Sequence, residues 1–464
     1  MRLAWFSPWP PQPSGVAGCS ADVVPALAAR GCGVDVFVDA RLVAAAVRAD
    51  DDPPVPGAVR VQSAHDFVWR AGRHQYDLVV YQVGNSRLHA YIWPYLFRWP
   101  GLVVLHDSRL HHARGSAQLQ KGEAAAYREE FAWNHPGASR DAAELAVAGF
   151  PGAYYYLWPM TRAVLAASRL VACHSRGAAA ELAASQPATP IAHIALGHGR
   201  HAPVPAAVRE RRRAALGLDE AHVAFGVFGA LTAEKRIPQI LHAFRTTRRH
   251  LPHTRLVLAG AFDPGLDVQT LIRTQALEAD VRLILAPEAA VFDELIAAVD
   301  VALCLRWPTA LETSGPWLRA LAAGRATVTI DLAHQTHVPA IDPRGWQSLV
   351  GADDGSDEST GIGPSAEPIT VAIDILDEAH SLRLAMARLA TDAPLRAALG
   401  RRARAYWERE HSIARMVDGY LRVIAQAAVT PDPTAALPAR LRPDPLTHAR
   451  MLLDGFGEAS CVLH

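Results

Sequence analysis

The sequence predicts an α/β protein built on two doubly wound parallel sheets. Two observations carry that reading. Apolar runs of four or five residues, too short for helices, alternate with longer helical stretches. The alternation falls into two series of about 200 residues each, and 464 residues suffice for two domains. Strand–helix–strand units of this kind build parallel sheets buried on both faces.

The first series has strands at Leu3–Phe6, Val34–Val38, Leu78–Tyr81, Leu102–Leu105, Leu170–Cys173 and Ile191–Ile194. A loop rich in Pro and Gly spans Pro8 to Gly18. The helix after it, Asp22–Arg30, has an acid early, a base late and Gly31 as its stop. Further helices are expected at Gly122–Trp133 and Tyr154–Ala167. The basic, alanine-rich stretch Ala206–Leu216 carries Arg209, Arg211, Arg212 and Arg213, which read as a solvated helix face.

The second series has strands at Phe225–Phe228, Arg255–Leu258, Val281–Leu285, Val301–Leu305 and Thr327–Ile330. Helices are expected at Pro238–Arg248, Val268–Glu278 and Val291–Val299. The boundary falls near His198–Val208, which gives domains over residues 1–200 and 201–405. Asp353–Glu367, rich in Asp, Ser and Gly, reads as an exposed loop. Leu395–Ala427 reads as helical throughout. Residues 429–464 carry Pro431, Pro433, Pro438, Pro443 and Pro445 and read as an extended tail.

Lys and Arg total 46, as do Asp and Glu, so the formal charge is zero. Nucleic-acid binding needs clustered basic surface, and this balance argues against it. Half the residues are apolar, enough for full cores. No apolar run approaches the ~18 residues a membrane span needs. Pro8, Pro10, Pro11 and Pro13 break the start of the chain, so no signal peptide is read there. Five scattered cysteines without a CxxC pair fit a reducing cytoplasm. The aromatic run Tyr91–Trp99 reads as core or interdomain contact ahead of a lipid interface.

Four segments can carry chemistry. Ser14, Gly15 and Gly18 lie between a strand and a helix, at the sheet edge where open α/β folds bind ligands. An ordinary Pro/Gly turn is the competing reading. His106 ends the strand Leu102–Leu105 and can meet a sugar hydroxyl or a developing charge, as can His111 and His112 nearby. A structural histidine is the competing reading. Lys235 and Arg236 follow the strand Phe225–Phe228, where two adjacent cations can hold a diphosphate or simply begin a solvated helix. Glu312 precedes a helix whose start is marked by Ser314 as cap and Pro316 in the first turn. The amides of that turn, at Gly315, Trp317 and Leu318, can face phosphate oxygens. Glu312 then suits sugar hydroxyls or a cationic transition state; helix capping is the alternative.

Taken together, these segments resemble glycosyltransferase family 4, retaining enzymes of the GT-B fold. The likeness covers about Arg2 to Ile424. "RLAWFSPWPPQPSGVAG" looks like the family's glycine loop over the donor and acceptor site. "VVLHD" resembles the segment with the pocket histidine, which is His106 here. "FGALTAEKR" looks like the diphosphate turn, with Lys235 as its lysine. "PTALETSG" resembles the start of the E-x7-E motif, with Glu312 as the first glutamate. "AYWEREHSIARMVDGYLRVI" looks like the closing helix, so residues 406–428 are expected to return to the first domain.

The resemblance implies two Rossmann-like domains facing across a cleft. It also implies a metal-independent transfer from a UDP- or GDP-sugar to a glycan or glycolipid acceptor, with no cofactor. The setting would be cytoplasmic, with peripheral contact at the inner membrane face as an option. Two departures stand out. Ala230 occupies the place of the family's usual arginine after the turn glycine. The second glutamate of E-x7-E is absent, Ala320 or Arg319 standing there according to the alignment. A non-catalytic nucleotide-sugar-binding or scaffold protein of the same architecture, and another GT-B enzyme such as an epimerase or phosphorylase, remain the competing functions.

Overall fold

The computed structural model describes residues 1–42, 57–73, 76–150, 153–199, 202–349, 367–435, 437–442 and 446–454. The chain divides into two compact units. The first comprises Met1–Leu196, Ala310–Thr313 and Met416–His464; the second comprises Gly197–Thr309 and Ser314–Arg415.

The first unit holds a seven-stranded, wholly parallel sheet. Its strands are β1 (Arg2–Phe6), β2 (Gly33–Val38), β3 (Val59–Ser63), β4 (Leu78–Val83), β5 (Leu102–Leu105), β6 (Leu170–Cys173) and β7 (Ile191–His193). The spatial order is β3-β2-β1-β4-β5-β6-β7, so the winding reverses between β1 and β4. Helices over both faces explain the apolar runs: Leu3, Ala4, Trp5 and Phe6 are all fully buried. Phe6 sits among Phe37, Phe67, Tyr81 and Tyr95, with ring centroids 4.9–5.2 Å away.

The second unit holds β8 (Val223–Phe228), β9 (Thr254–Gly260), β10 (Val281–Leu285), β11 (Val301–Leu303), β12 (Ala326–Ile330), β13 (Ala340–Asp342), β14 (Gln347–Ser348) and β15 (Thr370–Ile373). Their order is β10-β9-β8-β11-β12-β15-β13-β14, reversing between β8 and β11. Only the β13–β14 pairing is antiparallel among the described residues. Leu256, Phe225, Val301 and Ala326 line up strand by strand in its core.

Every strand expected from the apolar runs is present. Those not foreseen are β3, β13, β14 and β15. The edge strand β3 reads Val-Arg-Val-Gln-Ser because its Arg60 turns inward to the fully buried Asp35, at 2.8 and 3.0 Å, where Tyr76 also donates. A buried ion pair thus hid a strand inside a polar sequence.

Several expectations need correction. The first helix starts at Gly15, well before Asp22, because Ser14 caps it through the Val16 amide. The stretch Tyr154–Ala167 is two short helices, Tyr154–Leu157 and Arg162–Ala166, separated around Pro159. Leu395–Ala427 is also two helices, Ala393–Glu410 and Ile413–Val429. The break falls where His411 closes the first and the Ser412 hydroxyl accepts from the Arg415 amide. The tail is not extended throughout: Thr447–Asp454 is helical once the prolines end. The loop expected at Asp353–Glu367 lies, but for its last residue, outside the described residues. The aromatic run Tyr91–Trp99 packs in the first unit's core.

The basic helix Ala206–Ala215 is not simply a solvated face. Arg209 and Arg213 both pair with Asp300, at 3.0 and 3.1 Å, and Arg212 pairs with Glu294. Arg213 is buried and also donates to the carbonyls of Ala298, Asp219 and His222. Asp300→Ala would leave that guanidinium uncompensated. The expected loss is about 3 kcal/mol of unfolding free energy, read from the urea midpoint. An unchanged midpoint would show that the cluster is merely surface charge.

Candidate active site

In open α/β sheets, ligands sit outside the carboxyl ends of the strands where the winding reverses. The expected site residues follow strands at or next to those two reversals.

In the first unit, Ser14, Gly15 and Gly18 form the first turn of the helix Gly15–Ala29, beyond β1. A Cβ at Gly15 or Gly18 would meet nothing within 4 Å. These glycines therefore leave open room beside a helix N-terminus. Beneath them Trp5 donates to the Ser20 hydroxyl, which pairs with Ser7 at 2.7 Å.

His106 ends β5. Its Nε2 meets the Gln82 side-chain oxygen at 2.8 Å, which makes that nitrogen the donor. Tyr420, from the closing helix, bonds the same oxygen at 3.1 Å and packs on Trp5. The His174 ring lies 4.7 Å from the His106 ring. Burial, with His174 and His89 beside it, holds the His106 pKa well below the ordinary 6.5. His106 is therefore a neutral imidazole at physiological pH. His111 is a structural histidine: it is fully buried and bonded to the Tyr127 hydroxyl at 2.7 Å.

The loop Ala310–Thr313 belongs to this unit and brings Glu312 toward the same histidines. Ser108 donates to the Ala310 carbonyl at 2.7 Å, and the Thr313 hydroxyl donates to the His174 carbonyl at 2.9 Å. The Glu312 carboxylate accepts from the Ala310 amide at 2.8 Å. It thereby caps its own loop. Leu311, just before it, has φ +62°, a strained position for a leucine that costs about 1 kcal/mol.

In the second unit, Lys235 and the helix Gly315–Ala322 converge. Lys235 is buried and its Nζ donates to the Phe228 carbonyl at the end of β8. Gly229 follows, with φ +90°. A Cβ there would lie 3.0 Å from Lys235 Nζ and 3.0 Å from Pro316 Cγ. An ammonium and a helix start thus share one glycine at the β8/β11 reversal. Ser314 caps that helix as expected, accepting from the Trp317 amide at 3.4 Å.

Three details differ from expectation. The Trp317 amide is engaged by Ser314 and the Leu318 amide by the Ser314 carbonyl, so neither is spare. Among the described residues, Gly315 keeps the first-turn amide without an internal partner. Arg236 turns away from the glycine, because both arms of its guanidinium are held by Glu378 at 2.7 and 2.5 Å. Its φ of +59° fixes the bend between Lys235 and the helix Ile237–His250. Arg319 bonds His198 at 2.9 Å and Asp293 at 3.2 Å, and Ala320 is fully buried. Neither supplies a carboxylate.

His174, Gln82 and His198 were not singled out from the sequence. His198 lies 3.2 Å from a Cβ placed on Gly315. Burial and Arg319 push its pKa down to about 4. No local pattern announces these residues; only a position just past or at a strand end marks them. Among the described residues, no group of three His, Cys, Asp or Glu is placed to hold a metal ion, and no helix is long and apolar enough to cross a membrane.

The buried histidines make stability depend on pH. His89 and His198 are held near 4 by burial, against 6.5 in the unfolded chain. The unfolded chain therefore takes up protons first as pH falls. Stability is complete above pH 6.5 and drains as pH falls toward 4. For the fully enclosed His89 this amounts to about 3 kcal/mol. The urea midpoint is expected to be clearly lower at pH 5 than at pH 7.5; equal midpoints would contradict the burial of neutral imidazoles.

The fold is that of the GT-B glycosyltransferases: two parallel-sheet, Rossmann-like α/β units. Among similar solved structures is a sucrose-phosphate synthase from Thermosynechococcus elongatus, with TM-score 0.59, 15% identity, and coverage of 92% of this chain and 98% of that one. Another is WaaG, a glycosyltransferase involved in lipopolysaccharide biosynthesis (TM-score 0.55, 15% identity, 90% and 98% covered). A third is Anabaena HepE in complex with UDP-glucose (TM-score 0.57, 14% identity, 92% and 100% covered). No protein-family model and no curated protein matches the chain.

Proposed function

We propose that this chain is a retaining glycosyltransferase that moves a sugar from a UDP- or GDP-sugar to an acceptor hydroxyl. The observation that carries the proposal is the meeting of Lys235 and the Gly315–Ala322 helix start at Gly229. A departing nucleoside diphosphate gains negative charge as its bond to the sugar's anomeric carbon breaks. Lys235, the Gly315 amide and the helix dipole reaching through Trp317 and Leu318 would stabilise that charge. These groups supply what a divalent ion supplies elsewhere, so the proposal needs no metal. Similar folds held with UDP-glucose support the donor class.

Glu312 would stabilise positive charge on the sugar ring, and neutral His106 would hold a sugar hydroxyl. The acceptor oxygen bonds the anomeric carbon on the face the diphosphate leaves, and its proton passes to the departing phosphate oxygen. Ser14, Gly15 and Gly18 leave space for the reacting sugar. Arg236 is a positioning residue that sets the Lys235 turn through Glu378. A glycan or glycolipid acceptor in the cytoplasm completes the reading.

Thermal shift with UDP-, GDP- and ADP-sugars tests the donor site, since a ligand stabilises the state that binds it. At least one UDP- or GDP-sugar should raise the melting temperature in wild type and not in Lys235→Ala. No shift with any of them would refute the proposal. A second reading, a nucleotide-sugar binder without turnover, is favoured by one observation: Arg319 and Ala320 offer no carboxylate for a ribose. Binding without release of any nucleoside diphosphate would establish it.

A further inference from the structure

A cavity of about 1240 Å³ in the first unit lies at the carboxyl edge of its sheet. Segments that follow β1 to β5 bound it, contributing Gln12, Asp39, His65, Arg87 and Arg114. Its size exceeds that of usual small-molecule pockets and admits more than one sugar ring.

The wall is aromatic, with Tyr91, Trp93, Tyr95 and Phe97 on it. Among the described residues, four that line it are more than nine-tenths buried and carry polar atoms without a hydrogen-bond partner. They are Trp93 (Nε1), Tyr95 (Oη), Gln118 (Oε1) and His448 (both ring nitrogens). Buried polar atoms are ordinarily paired, and leaving one alone is unfavourable. Donors and acceptors on an aromatic wall suit a ligand with hydroxyl groups and an apolar ring face. An acyl chain would cover the rings and leave every polar atom unsatisfied.

The rim is cationic. Seven Lys and Arg side chains line the cavity against two carboxylates, Asp39 and Glu123. Those two are already paired, with Arg41 and Arg440. Arg114 is paired with Glu130, which itself lies outside the lining. Arg87, Arg98, Lys121 and Arg442 have no acidic partner among the described residues. Arg87 bonds the neutral Gln120, and Arg98 lies over the Trp99 ring at 4.8 Å.

We infer that this cavity binds an acidic saccharide, its hydroxyls meeting Trp93, Tyr95, Gln118 and His448 and its carboxylate or phosphate meeting the unpaired cations. That the saccharide is the sugar acceptor rests on the transferase reading; that it binds does not.

Calorimetry on the full chain, without any nucleotide-sugar, is the test. The probes are the hyaluronan disaccharide for a carboxylate, glucose 6-phosphate for a phosphate, neutral N-acetyllactosamine, and phosphatidylglycerol vesicles. One acidic sugar should bind at least tenfold more tightly than N-acetyllactosamine, and added salt should weaken it. The Arg87→Ala/Arg98→Ala double variant should erase that preference. Tyr95→Phe, which keeps the ring, should weaken binding severalfold with an unchanged melting temperature. Equal affinity for acidic and neutral sugars, or binding to the vesicles alone, would overturn the inference. Acidic-sugar binding without any transfer would count against the transferase reading alone. Transfer to neutral acceptors with no acidic-sugar binding would count against this inference alone.

Discussion

Lys235→Ala should lower kcat/KM with the competent nucleotide-sugar by a hundredfold or more. Groups placed where charge develops contribute about 2.7–4 kcal/mol each in sites of this kind. Lys235 is buried beside Gly229, where its charge is poorly screened by water. The fold should survive the loss of the hydrogen bond to the Phe228 carbonyl, a contact that contributes about 1 kcal/mol. Lys235→Arg should not restore the rate, since a planar fork cannot replace a compact ammonium in a space that also holds Pro316. Steady-state kinetics with a melting curve for each variant decides the matter. Wild-type turnover in Lys235→Ala would remove the diphosphate site from this place.

Glu312→Gln should cost at least tenfold in kcat and leave the melting temperature unchanged. The reason lies in what the carboxylate does in the loop. It accepts from the Ala310 amide, and a glutamine oxygen accepts that bond equally well. What the substitution removes is the negative charge, which matters if the sugar passes through a positively charged transition state. Glu312→Ala should also lower the melting temperature, because the Ala310 amide loses its acceptor beside the strained Leu311. Equal rates for wild type and Glu312→Gln would leave the carboxylate with a structural task alone.

Much of the fold was legible because its signals are local. A run such as Leu102–Leu105, short, rich in valine and preceded by Pro100 and Gly101, reads as a buried strand. Ser314 with Pro316 announces a helix start whatever surrounds it. The place of Lys235, in the turn between a strand and a helix, was legible for the same reason. Strand β3 was not, because the partner that lets Arg60 point inward is Asp35, on another strand.

The sequence by itself determined the two alternating series, the strands of both sheets except β3, β13, β14 and β15, and the segments in which the candidate site residues lie. Only the tertiary structure decided which of those residues are available. Arg236 and Glu378 are 142 positions apart, so nothing local reveals that their pairing occupies the Arg236 guanidinium. Residues from Gln12 to His448 enclose the cationic cavity, and no window of sequence contains them. Periodicity acts between neighbours along the chain; charge pairing and cavity shape act between residues that only folding brings near.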